Sequence, residues 1–256
     1  MSASEVLAPL PSEFLNLQTP PDSLYYRGDT SLLSLRKVAI VGARKAYPYS
    51  CGLVHTLASQ LAKRGVCVVS GGAMGIDAIS HEGAYPKTIA VLANGLDIIY
   101  PKVNKKLLSK MSEHSLLVSE YADGVKARAY SFVHRNRLVV ALGEVLVVAQ
   151  ADKDSGSMRS VEFALEMGKK IYVLPHRLGE SAGTMQLLHE GKAELITDIK
   201  DFADQFGECK DVDDEFLRFC LSASSYEEVL AFDAQQLFEY ELSGKIKVHN
   251  GKIQVL

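Results

Sequence analysis

The sequence predicts an α/β protein with a doubly wound, mostly parallel sheet, and three observations carry this prediction. Apolar runs alternate with segments of helical spacing along most of the chain. The runs are continuously apolar, which is typical of strands that helices bury on both faces. Hydrophobic residues make up 47% of the 256 residues, enough for a large core. The length allows one large domain, or one large domain and one small one.

The predicted elements form a repeated strand–helix array. We predict strands at 37–42, 66–70, 88–92, 116–119, 145–149 and 170–174. We predict helices at 48–64, 73–84, 103–111, 131–142, 157–167 and 182–190. Such alternation builds βαβ units with right-handed crossovers. The residues before the array, 1–23, are expected to form an arm with at most a short helix.

The C-terminal part predicts a second, smaller domain. Residues 207–213 are polar and predict a linker that follows a first domain at 1–206. Three helices are predicted beyond the linker, at 214–221, 226–230 and 233–242. Two short alternating segments then flank Asn250 and Gly251, the dipeptide most typical of a tight hairpin. Three helices and a hairpin predict a winged-helix-like domain at 214–256.

Composition excludes several classes of protein. The net charge is −3, so any nucleic-acid surface has to be local. No GxGxxG fingerprint is present, which argues against a dinucleotide cofactor, and the four cysteines form no CxxC pair that would indicate zinc. We therefore expect no cofactor and no metal. The N-terminus lacks a signal-peptide pattern and no apolar run approaches ~20 residues, so we expect a cytoplasmic protein without membrane contact.

Loops after the predicted strands carry the candidate site, because ligands of open α/β sheets bind beyond the carboxyl ends of strands. Glycines there let backbone N–H groups approach a ligand, and each following helix directs its N-terminus at the same place. A tight turn that needs glycine only for geometry is the alternative. Ser70 adds a hydroxyl donor to this set. The predicted phosphate contacts in these loops are Gly42, Ala43, Arg44, Lys45, Ser70, Gly71, Gly72, Ala73, Lys153, Ser155, Gly156 and Ser157.

A basic stretch adds to these loops. Residues 126–177 hold nine Lys or Arg against five Asp or Glu, a local balance of +4. Four of these basic residues join the predicted phosphate contacts: Lys126, Arg128, Arg135 and Arg137. Aromatic side chains beside the loops are candidates for stacking on bases, namely Tyr47, Tyr130 and Phe132, although core packing is the favoured interpretation for Phe132.

Several phosphate-binding loops suit a polymer of phosphates better than one nucleotide, so we predict single-stranded DNA as the ligand. The sequence contains no GxSxG, HExxH or P-loop motif, so we expect no enzyme and no catalytic residue. Asp77 and His81 lie four positions apart, a spacing that could serve acid–base chemistry. A local capping or pairing role is the favoured interpretation of this pair.

An ordered set of motifs resembles the DNA-processing protein A (DprA/Smf) family. The most specific are SGGAMGIDAISH at 70–81, RNR at 135–137 and SGS at 155–157. The resemblance implies an extended Rossmann fold, a homodimer and binding of single-stranded DNA. It also implies protection of incoming DNA in natural transformation, loading of the RecA recombinase in DNA recombination, and no catalytic activity. The family's phosphate-contacting loops match Gly42–Arg44, Ser70–Gly72 and Ser155–Ser157, while residues 158–160 and 185 depart from the usual pattern.

Two alternatives stay open. A nucleotide-cleaving enzyme of the lysine-decarboxylase-like (LOG) type shares the core fold, but its PGGxGTxxE motif is absent. The C-terminal domain is acidic, with eight acids against four bases over 213–256. Acidic faces repel phosphates, so we expect this domain to bind protein. DNA binding through Lys245, Lys247 and Lys252 is the alternative.

Overall fold

The computed structural model describes residues 3–15, 17–209, 215–223, 225–249 and 251–255. The chain divides into two compact units, residues 1–209 and residues 210–256.

A nine-stranded sheet forms the centre of the first unit. Its strands are β1 Glu5–Val6, β2 Tyr25–Gly28, β3 Lys37–Val41, β4 Cys67–Ser70, β5 Thr88–Leu92, β6 Leu116–Ser119, β7 Val145–Val148, β8 Ile171–Val173 and β9 Glu194–Leu195. They lie in the order β1-β2-β6-β5-β4-β3-β7-β8-β9. Strands β3 to β9 run parallel, and β1 and β2 are antiparallel additions beside β6. The predicted doubly wound, mostly parallel sheet is confirmed.

Helices cover both faces of this sheet. They are α1 Ser12–Leu15, α2 Pro48–Lys63, α3 Ile76–Ala84, α4 Lys105–His114, α5 Ala129–Leu142, α6 Gly156–Glu166, α7 Ala182–His189 and α8 Ile199–Asp204, with 3-10 turns at Thr30–Ser34 and Lys102–Asn104. Apolar side chains of α2, α3, α4 and α8 pack on one face, and those of α1, α5, α6 and α7 pack on the other. In β3, Val38 and Ile40 point to the first face while Ala39 and Val41 point to the second, so the strand is buried throughout.

The N-terminal segment is more than the expected arm. Strand β2 pairs antiparallel with β6, and β1 pairs with β2. Phe14 and Leu24 are fully buried in the main core. Sequence reasoning also missed β9 and α8, and it placed the start of α3 three residues early. Gly75 has a positive φ of 75°, which is not a helical conformation, so α3 begins only at Ile76.

The strand order reverses between β3 and β7. The chain moves from β3 through β4 and β5 to β6, and then crosses back to place β7 on the other side of β3. In open α/β sheets, a crevice forms at such a switch point outside the carboxyl ends of the strands. The loops predicted as phosphate contacts follow β3, β4 and β7, so the topology brings them together at this edge.

The second unit contains three helices and a hairpin in its described residues. These are α9 Glu215–Ser222, α10 Tyr226–Phe232, α11 Ala234–Leu242, β10 Ile246–His249 and β11 Lys252–Val255. The two strands are antiparallel. A small core includes Phe216, Val229, Leu237 and Ile246. Asn250 of the predicted hairpin turn and residues 210–213 of the predicted linker lie outside the described residues, and the winged-helix assignment stays a prediction.

Candidate nucleic-acid interface

A cleft of about 650 Å³ lies at the carboxyl edge of the sheet, beyond β3, β4 and β7. All three predicted loops contribute to its wall, together with the first turns of α5. The lining includes Gly42, Ala43, Arg44, Lys45, Gly71, Ala73, Phe132, Arg135, Ser155, Gly156 and Ser157. Most of the predicted loop contacts therefore share one cleft.

The loop that carries Arg44 is fixed by hydrogen bonds to the loop after β7 and to the first residue of α3. The N–H of Ala43 donates to the carbonyl of Gln150 at 2.9 Å, and the N–H of Tyr47 donates to Oε1 of Gln150 at 3.0 Å. The carbonyl of Ala43 accepts from the N–H of Ile76 at 3.2 Å. The Arg44 guanidinium lies 5.4 Å from the centre of the Phe132 ring. A rigid loop thus presents a cation at the wall of the cleft.

Asp77, in the first turn of α3, anchors the loop at residues 71–75 between β4 and α3, which we call the glycine loop. Its Oδ2 accepts from the N–H of Ala73 at 3.2 Å. Burial raises the pKa of the Asp77 carboxyl, and the nearby Arg135 charge and hydrogen bonds from the loop oppose that rise. The carboxyl is therefore a structural acceptor for the loop, in line with the local role favoured from the sequence.

Arg135 packs directly against the same loop. Its Nη1 donates to the carbonyls of Gly71 and Val91. A Cβ atom at Gly71 would lie 2.5 Å from Nη2, so only glycine allows this approach. Burial lowers the pKa of Arg135 to about 10, although Asp77 opposes this, so the side chain stays charged at neutral pH. The guanidinium adds positive charge beneath the cleft and supports the loop at its surface.

Two side chains predicted to contact phosphate are held inside the fold and do not line the cleft. The Ser70 hydroxyl is fully buried and donates to the carbonyl of Ile40 at 2.6 Å. Arg137 pairs with Glu120 at 2.7 Å and donates to the carbonyl of Thr19 at 3.0 Å. These hydrogen bonds occupy both groups inside the fold, which corrects their predicted orientation.

The basic stretch at 126–177 does not form one surface either. Lys169 donates to the carbonyls of Val140 and Ala141 at the C-terminal end of α5. Lys170 precedes β8 and so lies at the amino edge, opposite the cleft. Lys126, Arg128 and Lys153 are exposed but do not line the cleft, and they remain predicted phosphate contacts.

The N-terminus of α6 supplies the third wall. The first N–H groups of a helix have no intrahelical partner and favour anions. The hydroxyls of Ser155 and Ser160 are buried and have no hydrogen-bond partner among the described residues. Both residues line the cleft. Sequence reasoning missed Ser160, although its place one helical turn after Ser157 was an available signal.

The aromatic candidates differ in their exposure. Tyr47 and Tyr130 are exposed, while Phe132 is half-buried and lines the cleft. Phe132 belongs to none of the core clusters of the described residues, so the favoured core interpretation was wrong. Its ring lies 5.7 Å from that of Tyr100, an exposed residue that the sequence did not single out.

His81 points away from the cleft toward β5. Its Nδ1 lies 2.6 Å from Oγ1 of Thr88, whose hydroxyl donates to the carbonyl of Val68 at 2.8 Å. Because the threonine hydrogen is already used, Nδ1 must carry the imidazole hydrogen. Burial is the main cause that lowers the pKa of His81 to about 3, so the folded protein holds the ring neutral.

We expect the free energy of unfolding to fall by about 2 kcal/mol from this group as the pH drops from 6.5 to about 5. In that range the unfolded chain protonates His81 and the folded chain does not, so stability is lost toward acid. Urea unfolding of the wild type and of His81→Leu at pH 7 and about pH 5 measures the difference. An identical pH dependence in both proteins would contradict this assignment.

The described residues contain no cluster of three or more His, Cys, Asp or Glu that could hold a metal ion. Their helices include none with the length and apolar character needed to cross a bilayer.

The fold and the cleft define an open α/β protein of Rossmann type, with a glycine-lined ligand cleft at the topological switch point. The family model of DNA recombination-mediator protein A matches residues 8–207. The chain belongs to this family. The predicted DprA/Smf resemblance is thereby confirmed, and the nucleotide-cleaving alternative is not favoured.

Known relatives agree with this assignment. A DNA processing protein DprA from Bacillus subtilis is 34% identical over 75% of this chain and 67% of the relative. A putative DprA from Mycobacterium tuberculosis is 40% identical over 68% of this chain and 46% of the relative. A DNA processing protein A from Helicobacter pylori, described for its single-stranded DNA binding mode, superposes with a TM-score of 0.78 at 44% identity. That match covers 79% of this chain and 94% of the other, whereas the chain spans 46% to 67% of the two curated relatives.

Proposed function

We propose that this chain binds single-stranded DNA through the cleft beyond β3, β4 and β7. The observation that carries the proposal is the convergence of Arg44, the glycine loop and the N-terminus of α6 on one open cleft. Each element supplies a different donor for phosphate oxygens: a guanidinium, backbone N–H groups and serine hydroxyls. The similarity to the Helicobacter pylori protein, described as binding single-stranded DNA, supports the same ligand.

The charges of the cleft favour a polyanion. The cationic residues on its wall are Arg44, Lys45 and Arg135, and the acidic ones are Asp77 and Asp152. Asp77 is occupied by the glycine loop, so its charge is directed at protein N–H groups. Arg44 has no salt bridge within the described part of the chain, which leaves its guanidinium available to a phosphate.

Wider roles follow from membership of the family and belong to the proposal. We propose that the protein acts in natural transformation and recombination, where it protects incoming single strands and loads RecA, without a catalytic activity of its own. We also propose that it forms a homodimer, which analytical ultracentrifugation would test. A failure of this protein to accelerate RecA assembly on single strands coated by a single-strand-binding protein would contradict the loading role.

The second unit fits a protein partner better than DNA. Its exposed acids include Glu227, Glu239 and Glu241, whereas its exposed lysines are confined to Lys245 and Lys247 among the residues whose side chains are described. Phosphate contacts dominate DNA affinity, so an acidic surface disfavours that ligand. We propose a protein-binding role for this unit. Loss of oligonucleotide affinity in Lys245→Gln/Lys247→Gln would favour the DNA-binding alternative.

Binding of a labelled oligo-dT across a salt series tests the central proposal. We expect the wild type to bind single strands more tightly than duplex, and Arg44→Ala to weaken binding and to reduce the slope of log K against log salt by about 0.7. Arg36→Ala is the matched control, because Arg36 precedes β3 and pairs with Glu144 at the opposite edge. Absence of oligo-dT binding at low salt would overturn the proposal, and release of free base from nucleoside monophosphates would revive the nucleotide-cleaving alternative.

A further inference from the structure

One residue outside the cleft is bonded to both ends of the segment that carries Arg44. Gln150 lies two residues after β7, is 7% exposed and does not line the cleft. Its main-chain carbonyl accepts from the N–H of Ala43 at 2.9 Å, and its side-chain Oε1 accepts from the N–H of Tyr47 at 3.0 Å. We call residues 43–47 the arginine segment, which Gln150 therefore holds at both ends.

The two ends of the arginine segment are held in different ways. The bond from Ala43 continues the parallel pairing of β3 with β7, in which the N–H of Ala149 also donates to the carbonyl of Val41 at 2.9 Å. Ala43 has a second bond, because its carbonyl accepts from the N–H of Ile76 at 3.2 Å. These backbone bonds do not depend on the side chain at position 150. The bond from Tyr47, in contrast, requires an acceptor in that side chain.

The end at Tyr47 is also the place where α2 begins. Tyr47 is the N-cap of α2 and makes no side-chain capping bond, and Pro48 follows it. Proline has a fixed φ and suits the first position of a helix. The carbonyl of Tyr47 accepts from the N–H of Cys51 at 3.0 Å. The arginine segment is therefore a short bridge between β3 and α2, and Gln150 ties the far end of this bridge to the chain after β7.

The position of the Arg44 guanidinium depends on the backbone of this bridge. No carboxylate forms a salt bridge with Arg44 in the described part of the chain. The guanidinium lies 5.4 Å from the centre of the Phe132 ring, and such a contact is weak at an exposed site. A guanidinium bonds phosphate oxygens at about 2.7–2.9 Å, so a small shift of the backbone is enough to lose the contact.

We propose that Gln150 is a positioning residue for DNA binding, which acts through Arg44 and does not touch the ligand. The inference rests on the proposed binding of single-stranded DNA through the cleft, and it names the residue outside the cleft that holds Arg44 in place. A side-chain amide suits this role, because its oxygen accepts the N–H of Tyr47 without adding a negative charge beside a site for phosphates.

The test is a double-mutant cycle on labelled oligo-dT. Gln150→Met keeps the approximate length of the side chain and removes its oxygen, and it is made in the wild type and in Arg44→Ala. Gln150→Glu keeps an acceptor at the same place. Gln186→Met is the matched control, because Gln186 is exposed on α7 and bonds Glu190 at 2.6 Å. A thermal unfolding midpoint shows that each protein is folded in the assay. Gln150→Asn, whose shorter side chain withdraws the oxygen, replaces Gln150→Met in the cycle if the latter does not fold.

We expect Gln150→Met to lower the affinity for oligo-dT by about threefold to tenfold, the range for one lost hydrogen bond. The slope of log K against log salt is expected to fall toward that of Arg44→Ala, because a phosphate contact is lost. In the Arg44→Ala background, the same substitution is expected to change neither quantity. Gln150→Glu is expected to bind more tightly than Gln150→Met in spite of its added negative charge, and Gln186→Met is expected to bind as the wild type does.

Equal losses from Gln150→Met with and without Arg44 would overturn the inference, since a residue that only supports the fold acts in both backgrounds. Wild-type affinity in Gln150→Met, or weaker binding by Gln150→Glu than by Gln150→Met, would overturn it as well. If Arg44→Ala loses affinity in any of these cases, the proposed function stands alone. Unchanged binding by Arg44→Ala leaves Gln150 nothing to act through and also contradicts the inference. If the wild type does not bind oligo-dT, both fall.

Discussion

Replacing Arg135 with methionine is expected to lower the free energy of unfolding by about 3–5 kcal/mol, because it removes one member of a buried charge arrangement. The carbonyls of Gly71 and Val91 lose their donor, and each buried unsatisfied group costs about 1–3 kcal/mol. The Asp77 carboxyl also loses the cation that opposes the rise of its pKa. Urea unfolding at pH 7 measures the change.

A matched surface variant separates this effect from simple loss of an arginine. Arg159 is exposed and pairs with Glu162 at 2.8 Å on the same helix, an arrangement worth at most about 1 kcal/mol. We expect Arg159→Met to unfold nearly as the wild type does. If Arg135→Met were to cost no more than Arg159→Met, the supporting role assigned to Arg135 would be wrong. Arg135→Lys keeps the charge without the planar fork, and we expect an intermediate stability.

Substituting Gly75 with alanine is expected to lower affinity for oligo-dT as strongly as Arg44→Ala does. Gly75 has a φ of 75°, and a Cβ atom there would lie 2.6 Å from the carbonyl oxygen of Arg44. The backbone conformation alone costs about 1–3 kcal/mol for a residue other than glycine. Because the loop with Arg44 packs on this glycine, the clash displaces the loop and its guanidinium. Fluorescence anisotropy with labelled oligo-dT measures the affinity.

The control for this substitution is Gly168→Ala. Gly168 also has a positive φ, 64°, but a Cβ atom there meets nothing within 4 Å. It carries the backbone strain without the clash, so we expect lower stability and unchanged DNA affinity. Equal DNA affinity for Gly75→Ala and Gly168→Ala would show that the contact between Gly75 and the loop does not position Arg44.

The strands that the sequence predicted well are those buried on both faces. Residues 88–92 and 116–119 were predicted with the bounds that the structure has, because each is a continuous apolar run. Strand β2 was missed, since Tyr25–Gly28 contains an arginine and a glycine and depends on pairing with β6. Strand β9 has only two residues, and both are exposed. Edge strands of this kind form because they pair with a neighbouring strand, so their own residues show little of the apolar pattern that predicts a strand.

For the candidate site, the sequence located the loops but not the directions of their side chains. The rule that ligands bind beyond the carboxyl ends of strands located the three loops. It did not give the direction of side chains, which depends on packing between distant segments. Arg135 and Arg137 illustrate this, because residues two apart on a helix point in different directions. Arg135 supports the glycine loop, and Arg137 reaches Glu120. Asn104 joins α4 to the glycine loop 31 residues earlier in the chain, a contact that spacing could not reveal.

The antiparallel pairing of β2 with β6 has a consequence for synthesis on the ribosome. Tyr25 pairs with Ser119, and Gly28 pairs with Leu116. Translation proceeds at about 5–20 residues per second, so roughly five to twenty seconds separate the emergence of the two partners. During that interval the N-terminal segment has no β6 to pair with, and its apolar residues Phe14 and Leu24 lack their final core. We expect the nascent chain to depend on chaperones most strongly before β6 has left the exit tunnel.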